Sequence, residues 1–199
     1  VAQAGARVYG SETTLNICRA RGVPEEKLAL IGHGARLTLA PGVTVRVIRS
    51  KHKEPVGYPG FYTQVPHALN ARSDYLCGYV FAFLFEIGGL RLLNVGSSNL
   101  DLSAIRGTVC DLFFCGVSNY FQSPGFPQLV HDNITFKTFI PTHHDDFARC
   151  ELASYEAADV SGFIRKDFLR FKTELRMIAE YGDDRFRELV PLRTVPLVL

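Results

Sequence analysis

The sequence predicts an α/β layered domain. Apolar strand-like runs recur along the chain, and each stops at a polar or Gly-rich loop. One strongly amphipathic helix lies near the C-terminus, where it can return across a sheet. Nearly half of the 199 residues, 47%, are apolar, which is enough to bury a real core.

The elements follow from local pattern. Residues 6–9 are a short apolar strand. Ser11 can cap a helix whose inner face carries Leu15, Ile17 and Cys18, and Arg21-Gly22 ends it. Pro24-Glu25-Glu26 reads as a single helical turn leading into a strand over residues 28–31. Strands over residues 36–39 and 43–48 flank the Pro41-Gly42 turn, and in the second Val43, Val45 and Val47 alternate with their neighbours as a half-buried strand does. Residues 76–87 are continuously apolar, as a strand covered on both faces would be, and Gly88-Gly89 turns them into a strand over 90–95. Two further strands are expected over 108–115 and 133–140. Residues 161–181 are the clearest helix: Phe163, Ile164, Phe168, Phe171, Leu175 and Ile178 recur at helical spacing, with Gly182 after them. That stripe is core packing. A last short strand is expected within residues 186–198.

Composition narrows the function classes. A net charge of +2 with no Lys/Arg run argues against nucleic acid or an anionic membrane surface as partner. No apolar stretch is long enough to span a bilayer and no signal peptide is visible, so a cytoplasmic protein is expected. The five cysteines, at 18, 77, 110, 115 and 150, include no C-x-x-C, which fits buried or free thiols in a reducing compartment. Strand alternation places Cys110 and Cys115 on opposite faces. The chain begins Val-Ala-Gln-Ala and enters a strand at once. It reads as a sequence entered in mid-domain, which leaves room upstream for a targeting segment.

In layered α/β folds ligands gather where strands end. Three loops qualify: residues 50–60, 96–99 and 141–147. His143-His144-Asp145-Asp146 is the densest cluster of nitrogen and oxygen donors, and a catalytic zinc site needs about three such ligands and an open position. Neighbours in extended chain point opposite ways, so His143 and His144 do not share one site unless the strand has ended. The plain alternative is a polar loop with surface or capping histidines. His52 follows a strand in the same way, though a lone histidine there is also an ordinary surface residue. His33, in a Gly-His-Gly turn, reads as structural, and His67 and His131 as loop residues. Gly96-Ser97-Ser98-Asn99 permits close backbone approach to a ligand but lacks the Gly-x-Ser-x-Gly elbow of a serine hydrolase.

Taken in order, these segments resemble the metallo-β-lactamase superfamily, in the branch that includes ascorbate-phosphate lactonases and the phospholipase D acting on N-acyl phosphatidylethanolamines. Val8-Tyr9-Gly10-Ser11-Glu12-Thr13-Thr14 is similar to the segment after the first metal motif, and residues 34–42 to the hairpin before the central histidine. Ser50-Lys51-His52 resembles that histidine motif. Leu92-Leu93-Asn94-Val95-Gly96-Ser97 resembles the strand ending in Gly-Asp, and Ile140-Pro141-Thr142-His143 the last histidine motif. The resemblance implies the C-terminal half of a four-layer αββα sandwich. It would be a mostly antiparallel or mixed sheet with flanking helices, forming one partial domain over residues 1–199. It also implies zinc or another divalent metal held by His52 and His143, with Asp145 or Asp146 orienting His143. Substrate contacts would come from Tyr58, Ser97, Ser98 and His144, and the loop over residues 54–75 would shape the pocket.

Two departures stand out. The family's first motif, His-x-His-x-Asp-His, is absent, and Ser97 occupies the place of the Asp that bridges two metals. A one-metal or modified site is therefore expected, incomplete within this chain, with a small-molecule substrate. The implied chemistry is hydrolysis of an ester, lactone or phosphoester by a metal-bound hydroxide. The rival reading is a degenerate, non-catalytic binding or scaffold protein. Half a sandwich should also leave residues 76–87 partly exposed, or paired in a homo-oligomer.

Overall fold

The computed structural model describes residues 4–143 and 163–188. The chain is a mixed α/β fold built on one six-stranded sheet, ordered β3-β4-β5-β6-β7-β8, beside a two-stranded parallel pair, β1-β2. The strands are β1 (Val8–Gly10), β2 (Leu28–Leu30), β3 (Arg36–Ala40), β4 (Val43–Ser50), β5 (Val80–Ile87), β6 (Leu90–Val95), β7 (Thr108–Gly116) and β8 (Ile134–Thr142). The helices are α1 (Glu12–Ala20), α2 (Leu102–Ile105), α3 (Phe126–Asn133) and α4 (Phe163–Ile178).

Local chemistry explains the boundaries. Ser11 caps α1, its Oγ accepting from the Thr14 N–H at 3.3 Å, and Gly22 beyond the helix adopts φ 75°. β3 and β4 form a hairpin in which Arg36 faces Arg46 and Thr38 faces Thr44. β4, β5 and β6 pair antiparallel, whereas β6, β7 and β8 pair parallel.

The main core lies between the sheet and α2, α3 and α4. Leu93, Val95, Phe113, Cys115 and Phe139 meet Ile105, Phe126, Val130, Phe171 and Leu175 there. Phe139 is its hub: its ring lies 5.1 Å from Phe171 and 5.4 Å from Phe113. Val45, Val47, Leu15, Ile31 and Leu69 are buried outside that cluster.

Several expectations need correction. The strand expected from residue 76 begins at Val80, because Gly78 adopts φ 64° and its N–H is bonded to the Gly60 carbonyl. β5 is not covered on both faces: Ala82 and Leu84 are buried, while Phe81, Phe83 and Phe85 between them are only partly buried. Cys110 and Cys115 are both buried and both belong to the main core. Cys18, Cys77, Cys110 and Cys115 are free thiols. Neither α2 nor α3 was anticipated. The expected C-terminal strand is represented by a single parallel bridge from Phe186 to Phe139, and residues 189–198 lie outside the described residues. No helix among the described residues is long and apolar enough to cross a membrane.

Candidate functional site

Strand direction gathers the site. β4 and β6 both run antiparallel to β5, so they are parallel to each other, and β7 and β8 run parallel to β6. The C-terminal ends of β4, β6, β7 and β8 therefore share one edge of the sheet. His52, Gly96 to Asn99, Gly116 to Asn119 and His143 all follow those ends.

The exit of β4 is clasped by the exit of β6. The Ser97 Oγ accepts from the Lys53 N–H at 3.0 Å, and the Asn99 Nδ2 donates to the His52 carbonyl at 3.1 Å. Both ends of the His52–Lys53 step are thus fixed by side chains from one loop. Lys53 Nζ also donates to Gln122 Oε1 at 3.0 Å. The ends of β6 and β7 are drawn together as well. Ser98 Oγ donates to the Ser118 carbonyl at 3.3 Å, and a Cβ at Gly116 would lie 2.7 Å from the Gly96 oxygen.

The His52 ring is oriented by its own loop. Its Nδ1 lies 2.7 Å from the Lys53 carbonyl oxygen. A carbonyl only accepts, so Nδ1 carries the proton, and in the neutral ring the lone pair is on Nε2. Metal-ligating histidines are commonly oriented in this way, the distal N–H held by a carbonyl. His33 does the reverse: its Nδ1 accepts the Arg49 N–H at 3.1 Å, which gives it a structural role. His131 is paired with the Tyr181 hydroxyl at 3.0 Å, and His67 is exposed.

His143 closes β8 at φ 50°, a left-handed backbone that few residues other than Gly adopt and that is tolerated better by His than by bulky side chains. The strand has ended there, as sharing a site with its neighbours would require. β4 and β8 are four strand positions apart, roughly 19 Å in a flat sheet at about 4.8 Å per step. Sheet twist and the loops beyond the strands must shorten that span for His52 and His143 to share one ion. Among the described residues, no three His, Cys, Asp or Glu side chains form a group that would hold a metal. His144, Asp145 and Asp146 lie outside the described residues.

Tyr58 is 43% exposed in the loop after His52, and its carbonyl accepts the Cys77 N–H at 2.8 Å. That loop is anchored to α1, where Asn16 Nδ2 donates to the Tyr62 carbonyl at 2.9 Å and Thr13 Oγ1 accepts from the Tyr62 N–H at 3.0 Å. Near this edge Asp101 caps α2, accepts from Ser103 and pairs with Arg49 at 2.5 Å. Its carboxyl is held below the ordinary value, first by the Ser103 hydroxyl and then by the Arg49 guanidinium. Burial pushes the Cys110 thiol up to about 12 and raises Cys115 further, so neither is a thiolate nucleophile. The sequence reading missed Asn99, Lys53 and Gln122 as parts of this edge. Only the position of Asn99 in the small-residue loop after β6 pointed toward it.

No family model and no curated protein matches the chain. Solved structures do resemble it, among them the following two. A protein described as a Zn-dependent hydrolase of the metallo-β-lactamase superfamily from Thermotoga maritima is 14% identical, with 63% of this chain and 53% of that one covered and a TM-score of 0.34. Zn2+-bound PqqB from Methylobacterium extorquens is 14% identical, with 70% and 55% covered and a TM-score of 0.39. The chain spans about half the length of each. A likeness of this size says nothing of the chain's chemistry.

Proposed function

We propose that this chain supplies one wall of a metal-dependent hydrolase site, with His52 as its best-prepared ligand. The observation that carries the reading is the His52 ring: Nδ1–H is committed to the Lys53 carbonyl, and Nε2 keeps its lone pair at the edge where four strand ends meet. His143, at the end of β8, is the second ligand of the proposal, with Asp145 or Asp146 orienting it. Three ligands are required, and the described residues do not bring three together, so the site is completed by residues beyond them. His52 and His143, with further ligands, would hold a zinc ion, and the chemistry it would supply is a hydroxide nucleophile suited to ester, lactone or phosphoester hydrolysis.

The chain's own residues prepare that chemistry. Asn99 and Ser97 fix the His52–Lys53 backbone, so the imidazole is oriented before a metal arrives. Tyr58, Ser98 and His144 are the proposed substrate contacts, for a small-molecule substrate. The protein carrying this chain should be equilibrated with zinc, desalted and assayed for metal and for esterase, lactonase and phosphodiesterase activity. The reading expects His52→Ala and His143→Ala each to lower bound zinc and activity together. Unchanged zinc in His52→Ala ends the assignment of that residue.

A second reading has its own support. Ser97, at the place where the family resemblance puts a bridging Asp, is already engaged as an acceptor for Lys53. A non-catalytic binding or scaffold protein fits that arrangement. Stoichiometric zinc without any of the three activities, or no zinc in the wild type, favours it.

A further inference from the structure

The β3–β4 hairpin holds a second cluster, away from the candidate metal edge. Arg36 stands directly opposite Arg46, and Thr38 directly opposite Thr44. Strand alternation places these four side chains on one face, because 36 and 38, like 44 and 46, are two residues apart. Facing Cα atoms in an antiparallel pair are about 4.5–5.5 Å apart, so two guanidinium groups start from nearly the same point. Like charges directly opposite in a sheet are destabilising. Among the described residues neither arginine has a carboxylate within ion-pair distance. The ion pairs there belong to others, such as Arg91 and Lys137 with Asp111.

The same face forms a groove of about 530 Å³, lined by Arg36, Thr38, Thr44, Arg46, Glu86 and Arg91 among others. That is within the range of small-molecule sites. The lining contains three arginines and one glutamate; Arg91 is paired with Asp111, so the charge left over is that of Arg36 and Arg46 against Glu86, whose Oε2 accepts from Thr44 Oγ1 at 3.3 Å. The groove thus combines excess positive charge, paired planar donors and a hydroxyl-bearing floor. Guanidinium forks match the oxygens of a phosphate bidentately, which a lysine cannot do.

We propose that this groove binds the phosphate group of a small phosphorylated molecule, with Arg36 and Arg46 gripping it from the two strands and Thr38 adding a hydroxyl donor. The bound dianion relieves the repulsion between the two arginines, so binding and folding are coupled. This inference is independent of the metal reading.

Calorimetric titration with inorganic pyrophosphate, and separately with inorganic phosphate, tests it in metal-free buffer. Pyrophosphate should bind one per chain, and Arg36→Gln and Arg46→Gln should each weaken it by about tenfold or more, the cost of one charge-assisted contact. Arg46→Lys, which keeps the charge and loses the fork, should also bind more weakly than the wild type. Lys27→Gln, on the far side of the hairpin in sequence, should leave binding unchanged. Without anion Arg36→Gln should melt at or above the wild-type temperature, which separates loss of binding from loss of fold. Absence of binding at millimolar pyrophosphate overturns the proposal, as does binding that both glutamine variants retain in full.

Discussion

At the scale of single residues, preparation of the β4 exit rests on a few small polar side chains. Ser97 is buried, and its Oγ is the acceptor for the Lys53 N–H. Ser97→Ala leaves that N–H without its partner and should cost ~1 kcal/mol in chemical denaturation. Gly116 is more sharply constrained. A methyl group there meets the Gly96 carbonyl at 2.7 Å, so Gly116→Ala should destabilise by about 1–3 kcal/mol, in the range for overpacking against unyielding neighbours. The sequence marked the small-residue loop at 96–99 as permitting close approach to a ligand. The close approach seen here is a different one, between the Gly96 and Gly116 backbones, and it was not legible, because contact between two parallel strand ends leaves no trace in spacing.

At the scale of elements, the strands and the long helix were legible and the two short helices were not. β4 announces itself by alternation and α4 by a 3.6-residue stripe: Phe168, Phe171 and Leu175 are buried as that stripe requires. α2 has one turn, and its only sequence signal is Asp101, an N-cap before Leu102. α3 starts after Gly125 with Pro127 in its first turn, a combination that reads equally as a turn. The Asp101 cap makes a pH-dependent prediction. Its carboxyl is depressed in the folded protein, so the stabilisation it provides is present above the unfolded value of about 3.9 and is lost as the pH falls through the lower folded value. Asp101→Asn should therefore be less stable than wild type near neutrality, and the gap should close in acid. A gap that is constant from neutrality to acid contradicts the Ser103–Asp101–Arg49 account.

For the whole molecule, the mixed sheet and its helical layer agree with the α/β architecture expected from the sequence. The layer on the other side of β5 is thinner. Phe81, Phe83 and Phe85 are partly open, and Tyr79 and Phe61 are 59% and 56% exposed with ring centroids 4.8 Å apart. Aromatic surface of this kind is usually covered by more protein. The isolated chain should bind a fluorescent hydrophobic dye or self-associate, and Phe83→Ser should reduce either signal. A monomer at all concentrations by sedimentation, with no dye binding, contradicts that expectation. The sequence indicated this exposure only through the resemblance to half of a sandwich, since a continuous apolar run by itself reads as a strand buried on both faces.

The central claim is that His52 offers Nε2 to a metal because Nδ1–H is held by the Lys53 carbonyl. The imidazole nitrogens of His52, assigned by comparison with His52→Ala in long-range 15N–1H NMR spectra, test it most directly, before and after addition of zinc. The account expects Nδ1 protonated and Nε2 bare without metal, and a zinc-induced shift at Nε2 with the Nδ1 proton retained. A ring protonated at Nε2, or a His52 resonance that zinc leaves unmoved while it binds elsewhere, would contradict it.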